Sequence, residues 1–161
     1  MNQLLSECVA DCELAAAVEA SSKLHRISNK RHLFRQGQPA DRLFLLHSGE
    51  VVLTSRLPDH KVLGFQVAPG SLIGLRAIAG SQPHSMTATV RKYSELYSIS
   101  LWTFRELVGK NPRLSFRVQE ILAAESRSAR LQISNALSMV RGGRIAEIET
   151  SDSLLKGAAG Q

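Results

Sequence analysis

At 161 residues the chain can build one substantial hydrophobic core with appendages, and it is too short for two ordinary domains. Hydrophobic residues make up 43% and charged residues 21%, the balance of a globular chain rather than a disordered or membrane-spanning one. The net charge of +6 suits anionic partners, but Lys and Arg also keep small domains soluble, so charge alone selects no function.

Glu7, Asp11, Glu13 and Glu19 interrupt what would have to be the apolar part of a secretory signal, so the expected location is cytoplasmic, with no membrane partner. Cys8 and Cys12 are four apart and supply two ligands where a structural metal needs four, which reads as reduced, idle thiols. Leu14, Ala17, Val18 and Leu24 lie near helical spacing, predicting a helical segment over residues 1–30 with a helix or helix pair between Asp11 and Ile27.

From residue 31 to 100 the pattern becomes β. Apolar runs at Leu43–Leu46, Val51–Leu53 and Val62–Val67 are separated by Ser48-Gly49, Leu57-Pro58-Asp59 and Pro69-Gly70. Gly49 is expected to form a tight hairpin turn, and Gly70 a turn with positive φ. Met86, Ala88 and Val90 alternate, and a second strand at Leu96, Tyr97 and Ile99 is expected to pair with them. The fold class is mainly β with flanking helices: a double-stranded β-helix, or jelly-roll, barrel followed by a long C-terminal dimerisation helix.

The helical region spans residues 101–141. Ser100 reads as an N-cap, with Leu101, Phe104, Leu107 and Val108 on one face of a short helix closed by Gly109. Asn111-Pro112 then opens a helix that meets no Gly or Pro before Gly142, about 45 Å long at 1.5 Å per residue. Its stripe of Val118, Leu122, Glu125, Ala129, Ile133, Ala136 and Val140 predicts a two-fold dimer, with Val118 also suited to packing on its own domain. Residues 142–161 form a short tail, expected to be too small for a DNA-reading winged helix, so sequence-specific DNA binding by this chain is not expected.

Gly37, Ala40-Asp41, Ser48-Gly49-Glu50-Val51, Pro69-Gly70, Gly74, Pro83, Ser85, Thr87-Ala88-Thr89-Val90, Phe104 and Asn111-Pro112 occur in the order and spacing of a known family. Over residues 14 to 141 the chain resembles the cyclic-nucleotide-binding domain of the catabolite activator and fumarate-nitrate regulator (Crp/Fnr) family. The resemblance implies a phosphate-binding cassette over Gly74, Leu75, Arg76, Ala77, His84, Ser85 and Met86. It also implies a Glu that accepts from the ribose at the place of Leu75, and an Arg that pairs with the phosphate at the place of His84. Both polar groups are replaced, and Arg76 is an added cation.

The reading that follows is a regulatory sensor module, not an enzyme, dimeric, with a cyclic nucleotide or another small anion as the ligand class and an unidentified protein partner for output. One alternative is the effector domain of a longer Crp/Fnr-type regulator. A second is a cupin-like metal enzyme, but His25, His32, His47, His60 and His84 stand singly rather than in the clustered pattern that a metal requires. No metal ligands and no catalytic residues are therefore assigned.

Overall fold

The computed structural model describes residues 9–128 together with 130, 131 and 134. The chain order is α1 (Cys12–Ala20), β1 (Lys23–Ile27), β2 (Arg31–Phe34), β3 (Arg42–Arg56), β4 (Val62–Val67), β5 (Leu72–Ile73), α2 (Leu75–Gly80), β6 (Thr87–Ser100) and α3 (Leu101–Lys110). A further helix, α4, starts at residue 112. The chain divides into a unit that ends at Glu125 and a second that begins at Ser126. In the second, residues 126–128, 130, 131 and 134 are helical.

The strands form one antiparallel, jelly-roll-type sheet with the path β1-β6-β3-β4, while β2 also pairs with β6 and β5 with β3. The path is open rather than closed into a barrel. The expected boundary at residue 30 falls inside the first unit, because Lys23–Ile27 is a strand of this sheet. The N-terminal helix therefore ends sooner than its periodicity predicts: the backbone N–H of Ser21 reaches back to the last carbonyls, and the Ser22 hydroxyl donates to the Val18 carbonyl. Leu24, in step with the helix by spacing, lies on β1 opposite Tyr97.

Two long strands replace four short ones. β3 continues through Ser48-Gly49, so Gly49 is not a hairpin turn but part of an irregular stretch where the register with β6 shifts between Leu46 and Val51. Its φ is +104°, and a Cβ there would lie 2.5 Å from the Ser94 Cα and from the Tyr93 carbonyl oxygen. Only glycine allows β6 so close. Ser94, fully buried, ties the bend by accepting from the Glu50 N–H at 2.9 Å and donating to the Lys92 carbonyl at 2.9 Å. The expected pairing of Met86–Val90 with Leu96–Ile99 does not occur, because both runs belong to the single strand β6.

Side-chain alternation along β3 and β6 divides the core in two. Leu43, Leu45 and Ile99 face the helices, where they meet Leu14, Val18, Phe104, Leu114, Val118, Ile121 and Ala124. Phe44, Leu46 and Leu96 face the interior of the roll with Phe34, Val51, Val67, Ile73, Ala88 and Val90. Ser100 caps α3 as expected, accepting from the Thr103 N–H at 3.1 Å, but the helix runs through Gly109 to Lys110. Asn111 opens α4, its side-chain oxygen accepting from the Arg113 N–H and its carbonyl from the Ser115 N–H, both at 3.1 Å.

These two glycines separate strain from helix propensity. Gly49→Ala is expected to destabilise the domain by about 2–4 kcal/mol, through a backbone collision at positive φ. Gly109→Ala, with nothing within 4 Å of an added Cβ, is expected to stabilise it by about 0.5–1 kcal/mol. Urea unfolding of both variants checks the contrast.

Candidate functional site

The residues from Gly74 to Met86 lie between β5 and β6. Gly74 has φ +92°, a left-handed conformation that turns the chain from β5 into α2. α2 ends at Ser81, also at positive φ, where the Gln82 N–H donates to the Ala77 carbonyl at 2.9 Å. His84 is then held by its backbone: its N–H donates to the Gln38 carbonyl at 2.9 Å, and its carbonyl accepts from the Gly37 N–H at 2.8 Å. The Gly37 turn thus fixes where the His84 side chain points.

The His84 side chain lies flat on Phe34, with centroids 3.6 Å apart and planes 8° apart, and only 5% of the residue is exposed. Its Cε1 would lie 3.2 Å from a Cβ at Gly74, so the ring fills the space between Phe34 and the cassette backbone. Burial holds the imidazole below its ordinary pKa, with Asp41 pulling weakly the other way. The group at the expected phosphate-pairing position is therefore a neutral, stacked ring near pH 7.

Leu75 is 1% exposed and belongs to the helix-facing core, with Ile78 beside it. It joins the segment after Gly74 to the apolar face that also contains Ile121 and Ala124 of α4. Ala77 is buried, Met86 half-buried, and Arg76 and Ser85 are exposed. The structure thus turns Leu75 and Ala77 into the domain, His84 onto Phe34, and Arg76 outward.

Three contributors are not legible in the sequence. Arg105 on α3 donates to the Ser81 hydroxyl at 2.9 Å and to the Ile78 carbonyl at 3.4 Å, fastening the end of α2. A cation there also matches the negative end of the helix. Phe34 is the second, since its contact with His84 spans fifty residues and has no local pattern. Glu125 is the third. By spacing a member of the dimer stripe, it sits half-buried on α4, and burial pushes its carboxyl up to about 7, with Arg76 pulling it back down.

The rest of the dimer stripe divides. Val118 is 7% exposed within the core of its own domain, and Leu122 packs partly on the same cluster. Ala129, Ile133, Ala136 and Val140 lie outside the described residues. Cys12 is exposed and unpaired; Cys8 also lies outside the described residues. Among the described residues, no three His, Cys, Asp or Glu side chains come together as a metal site, and no helix is long and apolar enough to cross a membrane.

The two perturbed groups give opposite pH dependences. For Glu125 the folded value lies above the unfolded value of 4.5, so its contribution is complete below 4.5 and is lost as pH rises through about 7. For His84 the folded value lies below 6.5, so its contribution is present above 6.5 and is lost as pH falls through the lowered value. Glu125→Gln is expected to raise stability at pH 8 by on the order of 2 kcal/mol, while His84→Gln is expected to flatten the loss on the acid side. Urea midpoints between pH 5 and 8 separate the two.

A family model for the cyclic nucleotide-binding domain matches residues 24–111, more than half of the chain. A CRP-like cAMP-activated global transcriptional regulator of Mycobacterium tuberculosis is 25% identical over 116 residues, which is 71% of this chain and 52% of the relative. The chain thus spans about half the length of the curated relatives it matches. The catabolite activator protein of Thermus thermophilus superposes with a TM-score of 0.67 at 20% identity, covering 76% of this chain and 58% of that one. The c-di-GMP-responsive global regulator CLP of Xanthomonas campestris gives 0.60 at 22% identity, covering 74% and 63%. These two likenesses establish the fold and leave the ligand open. Together with the order of glycines, the β3–β6 roll and the cassette between β5 and β6, the match places this chain in the cyclic nucleotide-binding domain family, related to CRP-like regulators.

Proposed function

We propose that this chain is a regulatory sensor module whose cassette no longer takes cyclic AMP in the manner of its cyclic-AMP-activated relatives, and that its output passes through a protein partner. The observation that carries this reading is the His84–Phe34 stack. An arginine reaching toward a phosphate would supply a permanent cation and several donors; a buried neutral imidazole supplies neither. Leu75, turned into the helix-facing core, offers no acceptor to a ribose hydroxyl. Gly74 and Ser85 keep the backbone turn and a hydroxyl, so the frame of a ligand site is retained while its charged contacts are gone.

A homodimer through the distal half of the long helix belongs to the same reading. Leu131, 66% exposed on a helical segment, is the described residue that favours it. A second reading, the effector region of a longer Crp/Fnr-type regulator, is favoured by one observation: the chain spans about half of its cyclic-AMP-activated relative. In that case DNA recognition would reside in a separate domain joined to this one. The curated relatives that the chain matches are named as transcriptional regulators, which favours the regulatory reading over the metal-enzyme alternative.

Calorimetry with cyclic AMP tests the ligand reading. Losing two charge-assisted hydrogen bonds at about 1.5–3 kcal/mol each weakens binding by roughly two to four decades, so no heat is expected at micromolar protein. His84→Arg is expected to recover measurable affinity. Micromolar binding by the natural chain overturns the proposal. Light scattering tests the dimer: Ile133→Glu is expected to convert it to monomer at about 50 µM, through burial of unpaired charge, and a monomeric natural chain at that concentration removes the dimer from the reading.

A further inference from the structure

The turn that follows α2 presents a serine to solvent and a guanidinium to that serine. Ala79, Gly80, Ser81, Gln82 and Pro83 are exposed in succession, between the buried Ile78 and the buried His84. Ser81 is the middle residue of the five, with φ +50°, a left-handed conformation that few side chains adopt. Its backbone N–H is taken by the Ala77 and Ile78 carbonyls at the end of α2.

The charge around this hydroxyl is positive and uncompensated. Arg105 of α3 donates to the Ser81 hydroxyl at 2.9 Å and, at a longer 3.4 Å, to the Ile78 carbonyl. Arg105 is itself exposed, and among the described residues no carboxylate pairs with it. Its neighbour Glu106 is turned to Lys110 instead. Between Asp59 and Glu95 the sequence holds no Asp or Glu, so the chain on either side of Ser81 brings no carboxylate to it. An anionic group on Ser81 would therefore meet a full, unpaired cation at hydrogen-bond distance. The negative end of α2 opposes it, but α2 has six residues, and the partial charge there is smaller than that of a guanidinium.

We propose that Ser81 is a phosphorylation site and that Arg105 reads its phosphate, which gives the module an input that does not pass through a ligand in the cassette. The chemistry is transfer from a nucleoside triphosphate by a separate protein kinase. The Ser81 Oγ attacks the γ-phosphorus, the bond from that phosphorus to the β–γ bridging oxygen breaks, the hydroxyl proton passes to the base of the kinase, and the nucleoside diphosphate leaves. Exposure of five consecutive residues makes the turn accessible to such an enzyme. A phosphoserine carries close to two negative charges near pH 7 and three acceptor oxygens, and a guanidinium engages them through two parallel N–H groups. Arg105 then leaves the Ile78 carbonyl for the phosphate, so modification exchanges a hydrogen bond between the α2 turn and α3 for an ion pair. Ser85, also exposed, has no guanidinium bonded to its hydroxyl among the described residues. This input stands whether or not the cassette takes cyclic AMP.

Mass spectrometry tests the modification and phosphorus NMR tests its reader. Trypsin cuts after Arg76 and Arg91, so one peptide, residues 77–91, carries Ser81 together with Ser85, Thr87 and Thr89. Fragmentation of that peptide, from the natural chain isolated out of growing and out of starved cells, locates the phosphate, which is expected on Ser81 in at least one of the two states. Absence from both, or phosphate confined to Ser85, Thr87 or Thr89, overturns the inference. The NMR experiment uses the full chain with phosphoserine installed at position 81 during synthesis, titrated with pH. Arg105 favours the dianion, so the second ionisation of the phosphate, ordinarily near about pH 6, is expected to move down by about 0.5 or more, and Arg105→Gln is expected to bring it back. Arg105→Lys, which keeps the charge without the two-pronged geometry, is expected to retain part of the shift. Phosphoserine installed at position 85 is the control, and its titration is expected to ignore Arg105→Gln. Equal titration of phosphorylated Ser81 with Arg105 and with Arg105→Gln would mean that Arg105 does not read the phosphate, and it overturns the inference.

Discussion

At Gly49 two long strands come closer than any side chain would allow, and both faces of the domain depend on that approach. β3 and β6 are too long to run flat past each other in so small a protein. The shifted register between Leu46 and Val51, tied by the buried hydroxyl of Ser94, lets the ladder bend and continue. On one side of the bend, Leu43, Leu45 and Ile99 offer a surface to the helices; on the other, Phe44, Val51 and Val90 close the roll. β5 then brings the chain to Gly74 against this frame, and the cassette takes its position from there.

Within the frame, the two departures from the family's polar pattern serve different purposes. Leu75, where the resemblance implies a polar contact, is buried next to α4 and joins the cassette to the helices. His84, where it implies a cation, is a flat ring against Phe34. The result is a cassette whose interior contacts are packing contacts. Arg105 secures the end of α2 from α3, and Arg76 and Glu125 influence each other between α2 and α4. The cassette is therefore joined to α3 and α4 by contacts that need no ligand.

The legibility of the sequence follows the range of the interactions. Ser100 as a cap, Asn111-Pro112 as a helix start and Pro69-Gly70 as a turn are readable because each is a local backbone solution written in adjacent residues. The helix expected through Leu24 fails because its apolar spacing continues past Ser21-Ser22, while cross-strand pairing with β6 claims Lys23–Ile27. Gly49 suggests a turn because a glycine at positive φ serves a hairpin or a bulge equally well, and only the partner strand distinguishes them. At the cassette, the departures from the polar pattern that the resemblance implies are readable at Leu75 and His84. The ring beneath His84, the core that receives Leu75 and the burial that raises the Glu125 carboxyl are not, since all three arise from contacts between distant segments.

The central claim is that His84 is a neutral ring stacked on Phe34 and that it stays so when a cyclic nucleotide is present. NMR of the natural chain with labelled histidine measures this directly. The account predicts a His84 titration below 6.5, ring protons shifted upfield by Phe34, and no change in either on adding millimolar cyclic AMP. A titration above 6.5, or release of the ring shift as cyclic AMP is added, would show His84 turning to meet a phosphate and would contradict it.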